Sequence, residues 1–195
     1  MAGFADIHLD PGIARALLRG DRRAQGIAYR TLAPTVLGMA IRILRDEGLA
    51  QEVLQDTFVD LMDKAATLRD PDAVVGWLRK VAANHCFMRL RSPWHQRRTA
   101  EDAAPEPDDP ADSDERWQGQ CDIERALGAL APETRLVIWL HDVEGYTHQE
   151  IGQLTGQTAS YSKSQLARGY AKLTQMMQGE AHGLETDAVR PAGHS

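Results

Sequence analysis

Between Thr99 and Arg116 the chain reads TAEDAAPEPDDPADSDER, and a packed element cannot be built from it. Proline, alanine and carboxylates follow one another with no apolar period. Such a stretch has too little apolar surface to offset the entropy of ordering it. It is read as an acidic linker over residues 99–121. Everything else must then fold as two small units, residues 1–98 and residues 122–178, with a polar tail at 179–195. The charges divide at the same place. Residues 1–99 carry 15 Lys/Arg and 11 Asp/Glu, residues 100–124 carry 1 and 10, and residues 125–195 carry 6 and 7. The net charge of −6 is therefore concentrated in one short segment, and the overall acidity does not describe what either unit can bind.

Both units read as all-α. Asp21 is placed to cap a helix through Ile27 and Tyr29, with Pro34 a restart or kink before Val36, Met39, Ala40 and Ile43. Asp46 opens a second helix whose Leu54, Phe58, Leu61 and Ala65 recur at helical spacing. In LRDPDAV, Asp70 suits an N-cap and Pro71 a first helical position. The helix that follows carries Val74, Leu78, Val81, His85 and Met88 on one side. Beyond the linker, one helix is predicted over about Asp122–Leu130 and another opens at Pro132. Gly145 ends that region, Thr147 and Glu150 form a capping box, and Gly156 turns the chain. Ser160 is the expected N-cap of a last helix with Leu166, Tyr170, Leu173 and Met177 inward. No stretch alternates like a half-buried strand, and there is no internal repeat.

Three surfaces carry chemistry. Two short helices about a glycine, the second opening with polar and basic residues, make the pattern of a helix-turn-helix. Ser160, Tyr161, Lys163, Ser164, Gln165 and Arg168 have side chains suited to base edges and phosphates in a major groove. The same pattern also fits an ordinary amphipathic hairpin with a solvated outer face. The second surface is GWLRKVAANHCFMRLRSPWHQRR, Gly76 to Arg98, where Arg79, Lys80, Arg89 and Arg91 supply charge and Trp77, Phe87 and Trp94 interleave aromatics. Basic groups hold phosphates and aromatic faces stack unpaired bases; Trp77 also fits a core position. Third, Glu52, Asp56, Asp60 and Asp63 share one helix face, where like charges repel unless a basic partner, or solvent alone, relieves them.

Other classes are not favoured. There is no phosphate-binding loop and no nucleophile elbow, so no enzyme is expected. Cys86, Cys121, His141 and His148 do not fall at zinc spacings, so neither metal nor cofactor is expected. No run of about 18 apolar residues suggests a membrane span, and MAGFADIHLD lacks the apolar core of a secretory signal. With two cysteines, a cytoplasmic location is expected.

The order of these motifs resembles the extracytoplasmic-function group of bacterial RNA polymerase sigma factors, over about residues 15–177. GDRRAQGIAYRTLAPTVLGMAIRILRD looks like the opening of sigma region 2. AQEVLQDTFVDLM is similar to the polymerase-clamp helix, and VVGWLRKVAANHCFMRLR to the promoter-melting helix. ALGALAPETRLVIWLHDVEGYTHQEIGQLTG and SYSKSQLARGYAKL look like region 4. The resemblance implies that Glu52, Gln55, Asp56 and Asp60 dock on the β′ clamp of core RNA polymerase. It implies that Trp77, Arg79, Lys80, Asn84, Arg89 and Arg91 act at the −10 element. Ser160, Tyr161, Lys163, Ser164, Gln165 and Arg168 would read the −35 element, and the acidic linker would lie in the RNA exit path. An anti-sigma factor is the expected further partner.

The chain departs from the family pattern at three places. Ser162 and Thr155 stand where apolar residues are usual, and Gln51 stands where an acid is common. The last departure suggests a clamp contact that depends on a second signal, such as phosphorylation of Thr57. Two rival readings are a sigma-like protein that only sequesters an anti-sigma factor and a free-standing helix-turn-helix repressor.

Overall fold

A computed structural model describes Phe4 and residues 7–92 and 122–187, with side chains described except at 122–124, 177 and 179–187. The linker call at 99–121 lies outside the described residues, as do Trp94, Arg97, Arg98 and the end of the tail. The described residues are helical, with no strand among them.

Helix α1, Pro11–Leu18, starts at Asp10, whose carboxylate accepts from the Gly12 and Ile13 amides and satisfies two first-turn donors. Asp21 does the same for α2, Arg22–Leu44, through the Ala24 amide. Pro34 does not break α2. Leu32, Ala33 and Val36 are buried on either side of it, so tertiary packing outweighs the amide that proline lacks. By length and composition α2 could cross a membrane. However, Ala28, Leu32, Val36, Met39, Ala40 and Ile43 are buried by neighbouring helices, which makes it the central helix of a core. Asp46 caps α3, Glu47–Lys64, through the Leu49 amide.

Helix α4, Ala73–Leu90, begins later than expected. The Asp70 carboxylate caps a turn by accepting from the Asp72 amide, and Pro71 lies in that turn before the helix. The inward stripe of α4 is Val74, Leu78, Ala82, Ala83, Cys86, Phe87 and Leu90, whereas Met88 is 55% exposed. The expected stripe was thus rotated: Val81 and His85 lie at its half-buried edge and Met88 beyond it.

In the second unit α5 spans Asp122–Gly128 and α6 spans Pro132–Ile138, running on through a wider π turn at Trp139–Val143. The capping box at α7, His148–Thr155, is formed: Thr147 Oγ1 accepts from the Glu150 amide, and the Glu150 carboxylate accepts from the Thr147 amide. The Thr147 amide and hydroxyl, both donating to the Glu150 carboxylate, hold it below its usual range. Gly156 closes α7 at φ 63°, a left-handed cap that glycine takes without a Cβ clash.

The last helix, α8, Ala159–Asp187, is capped by Thr158, whose Oγ1 accepts from the Tyr161 amide. Ser160, the expected cap, is already inside the helix. Helix α8 also continues past residue 178, so helix occupies part of what reads as tail.

The α7–α8 turn is tight at Gly152. A Cβ there would lie 2.8 Å from the Gln157 carbonyl oxygen, with the Ala159 nitrogen at 3.2 Å, both backbone atoms. Gly152→Ala is expected to lower stability by about 1–3 kcal/mol through overpacking. Helix propensity alone would instead raise it by about 1 kcal/mol. Calorimetry therefore reads the sign: a melting temperature lower by several degrees is expected, and a rise would show that the turn has room.

Candidate nucleic-acid interface

The outer face of α3 does not stand alone. Glu52 and Gln55 are exposed and Asp56 and Asp60 partly so, while Val53, Leu54, Phe58 and Leu61 anchor the opposite face. Arg89 of α4 lies across the carboxylates. Its Nη2 donates to Asp56 at 2.5 Å and its Nε to Glu52 at 3.1 Å. Asp60 accepts from Lys64 Nζ at 2.6 Å and pairs with His85 Nε2 at 2.8 Å. Those bonds, Lys64 first, hold the Asp60 carboxyl below its usual range. The repulsion inferred from spacing is thus relieved within the chain, by one face of α4 carrying His85 and Arg89 four residues apart. Thr57 is fully buried and donates to the Val53 carbonyl at 2.6 Å. A kinase cannot reach it in this fold, which removes the phosphorylation expectation.

The six α4 residues expected at the −10 element separate into three groups. Lys80, Asn84 and Arg91 lie on an exposed stripe with Gly76 and Met88, repeating every three to four residues. Trp77 is partly buried against the core. Arg79 and Arg89 face protein: Arg89 holds the α3 carboxylates, and Arg79 donates Nη1 to the Glu144 carbonyl at 2.7 Å and stacks 4.6 Å from the Tyr146 ring centre. Met88 was missed because its spacing from His85 suggested an inward stripe. The two buried alanines, Ala82 and Ala83, and Cys86 were the signal that could have corrected it.

Helix α8 opens with a polar outer face of Ser160, Lys163, Ser164 and Arg168, all exposed, with Tyr161 half-buried beside it. Gln165 is not on that face. It is buried, and its Oε1 accepts from Thr134 Oγ1 at 2.7 Å. It fastens α8 to α6, so an adenine-reading role is not compatible with its place. Close approach of the two helices is permitted by Gly169, where a Cβ would lie 2.4 Å from Ile138 Cδ1.

The two polar departures in the turn are both satisfied. Thr155 is buried and donates to the Ile151 carbonyl at 2.8 Å. Ser162 is fully buried, with Oγ 3.0 Å from His148 Nδ1. A buried hydroxyl with a partner avoids the cost of an unpaired one, so the helix-turn-helix keeps its geometry. His148 stacks on His141 at 4.6 Å, and Asp142 bonds His141 and accepts from the Tyr170 hydroxyl. The described faces thus comprise a carboxylate face, a polar-basic stripe on α4 and a polar-basic helix-turn-helix, in that order along the chain.

Residues 28–97 match the Sigma-70 region 2 family, and residues 122–173 match the Sigma-70, region 4 family. The RNA polymerase sigma factor CarQ of Myxococcus xanthus is 32% identical over 167 residues, 81% of this chain and 89% of that protein. The ECF RNA polymerase sigma factor SigM of Mycobacterium tuberculosis is 28% identical over 178 residues, 90% of this chain and 89% of its own. The chain belongs to the sigma-70 family of RNA polymerase sigma factors, in the extracytoplasmic-function group. It is an alternative sigma factor, a protein that binds core RNA polymerase and directs promoter-specific initiation. The fold agrees with two solved ones. CnrH, solved with the cytosolic domain of CnrY, aligns at TM-score 0.52 and 22% identity over 87% of this chain and 97% of its own. The sigma factor RpoE of Bartonella quintana, solved with the anti-sigma factor NepR, aligns at 0.53 and 18% over 78% and 96%.

The His148 imidazole sits below its ordinary value, chiefly through burial, then through His141 and Lys163, with Asp142 opposing. A lowered folded pKa means that the fold prefers the neutral ring. Stability is therefore full above the unfolded value of about 6.5 and falls as pH drops from there through the folded value. The melting temperature should decline as pH falls below about 6.5, and His148→Gln should flatten that part of the profile. An unchanged slope in the variant would assign the decline to other groups.

Proposed function

We propose that the three faces divide the work of initiation. The α3 face of Glu52, Gln55, Asp56 and Asp60 docks on the basic coiled coil of the β′ clamp. The α4 stripe of Lys80, Asn84, Met88 and Arg91 meets the −10 element, where strand separation leaves bases to be captured. The α8 face of Ser160, Lys163, Ser164 and Arg168 enters the major groove at the −35 element. The acidic segment at 99–121 suits the positively charged RNA exit path, and a cytoplasmic location follows from these partners. An anti-sigma factor that holds the protein until a signal arrives fits the family pattern. The sigma factor itself makes and breaks no covalent bond in this reading.

The observation that carries the division is exposure. Asn84, Lys80, Lys163 and Arg168 all face solvent, on two helices that belong to different units. The same observation weighs against a sequestering mimic, which has no need of exposed promoter-reading groups. A dimeric repressor finds no support in the order of the faces along one chain.

Lys163→Ala with Arg168→Ala is expected to reduce promoter-specific transcription by more than about tenfold, at about 1–3 kcal/mol per lost contact, with core binding intact. Glu52→Lys with Asp56→Lys should do the reverse, removing core binding on size-exclusion chromatography. Because the reversal also repels Arg89, its melting curve must be shown to remain cooperative. Core binding that survives in a folded reversal would remove the clamp assignment; core binding lost in the α8 variant would remove the division of labour.

A further inference from the structure

The inner face of α8 holds little apolar surface. Its buried residues, among those described, are Ser162, Gln165, Leu166 and Gly169, and of these only Leu166 is a large apolar side chain. Leu173 adds a partly buried one further along. Apolar contact holds a helix down but has no direction, whereas a hydrogen bond has one. Among the described residues, three side-chain bonds leave α8, each for a different element. Gln165 Oε1 accepts from Thr134 Oγ1 of α6 at 2.7 Å, with both residues buried. Ser162 Oγ, fully buried, lies 3.0 Å from His148 Nδ1 of α7. The Tyr170 hydroxyl donates at 2.8 Å to the carboxylate of Asp142, in the π turn. Asp142 also bonds His141, whose ring stacks on His148, so the last two bonds are joined. Gly169 sets α8 flush on α6: a Cβ there would lie 2.4 Å from Ile138 Cδ1 and 2.9 Å from Thr134 Cγ2.

Each outward group stands beside an inward one. Lys163 follows Ser162, Ser164 precedes Gln165, and Arg168 precedes Gly169. Successive residues are about 100° apart around the axis, so the roll that seats the inner bonds also aims the outer side chains. Side chains reach about 5–6 Å from a helix axis, so a roll of about 15° would carry their ends by about 1.5 Å. A hydrogen bond to a base edge holds over a range of only about 0.5 Å. Reading bases therefore demands a fixed roll. The inner face resists any other: turning α8 would unpair the buried Ser162, Gln165 and Thr134, and a buried polar group without a partner is costly.

We propose that Ser162, Gln165 and Tyr170 are positioning residues for −35 reading: their bonds to His148, Thr134 and Asp142 fix the roll of α8, and with it the base edges that Lys163, Ser164 and Arg168 reach. Leu166 supplies adhesion, Gly169 sets the distance between α8 and α6, and the three bonds set the angle. The inference deepens the assignment of α8 to the −35 element and rests on it.

The test is transcription by core polymerase carrying the full chain, from a promoter library randomised over both elements, with the transcripts sequenced. The unaltered chain is expected to favour one base by about tenfold at several −35 positions. Thr134→Val with Gln165→Met replaces a bonded pair by apolar groups of similar volume, so the melting temperature should stay near its original value. The −35 preference should nevertheless fall below about threefold or move to other bases. Thr134→Ser, which keeps the hydroxyl, should keep the preference. Tyr170→Phe, at a side chain 45% exposed, should weaken the preference without loss of stability. An unchanged preference in the folded pair variant would overturn the proposal; if that variant does not fold, an unchanged preference in Tyr170→Phe would do so. Equal loss in Thr134→Ser would leave the contact a matter of packing and also overturn it. Lys163→Ala with Arg168→Ala separates this inference from the reading beneath it. If that variant flattens the preference and the inner variants do not, only the positioning role falls. If it leaves the preference unchanged, α8 does not read the −35 element and both fall.

Discussion

The arrangement of the two units depends on where one guanidinium is buried. Burial holds the Arg135 pKa down to about 10, so the group is still cationic at neutral pH. A buried cation is tolerated only where its donors find acceptors. Arg135 finds them on the Ile43, Gly128 and Leu130 carbonyls, one from region 2 and two from its own unit. That choice brings the end of α2 against α6, which in turn sets Trp139 beneath Arg42 and Glu144 beneath Arg79. The contact between the units therefore joins this buried charge to apolar packing, because the buried Leu, Val, Ile and Ala side chains of both units form one cluster.

Charge inside region 2 obeys the same rule. A stripe of carboxylates four residues apart destabilises an isolated helix, and Arg89, His85 and Lys64 neutralise it in place. These pairs are largely exposed and contribute modestly to stability. In the proposed docking, a polymerase surface that takes Glu52 and Asp56 competes with Arg89 and frees that basic group on α4.

Much of the fold was legible. Caps at Asp21, Asp46 and Thr147 and the left-handed glycine at 156 follow from local backbone chemistry, and each stands where the sequence placed it. Helix starts were read less well. Asp70 and Ser160 have the right chemistry for capping, but Asp70 serves a turn and Thr158 takes the place expected of Ser160. The carboxylate face and most of the α8 face were also legible, because exposed polar residues at helical spacing share a side by geometry alone.

Composition and periodicity determined that the described chain is helical and which residue types face outward in bulk. Only the tertiary structure decided where individual side chains face. Gln165 and Ser162 turned inward to Thr134 and His148, Arg79 and Arg89 turned to protein partners, and Met88 turned to solvent. The physical reason is angular. Successive residues on a helix are about 100° apart, so a small rotation of the buried stripe carries a side chain from water to protein. That rotation is set by the helices packed on either side, which lie far away in the sequence.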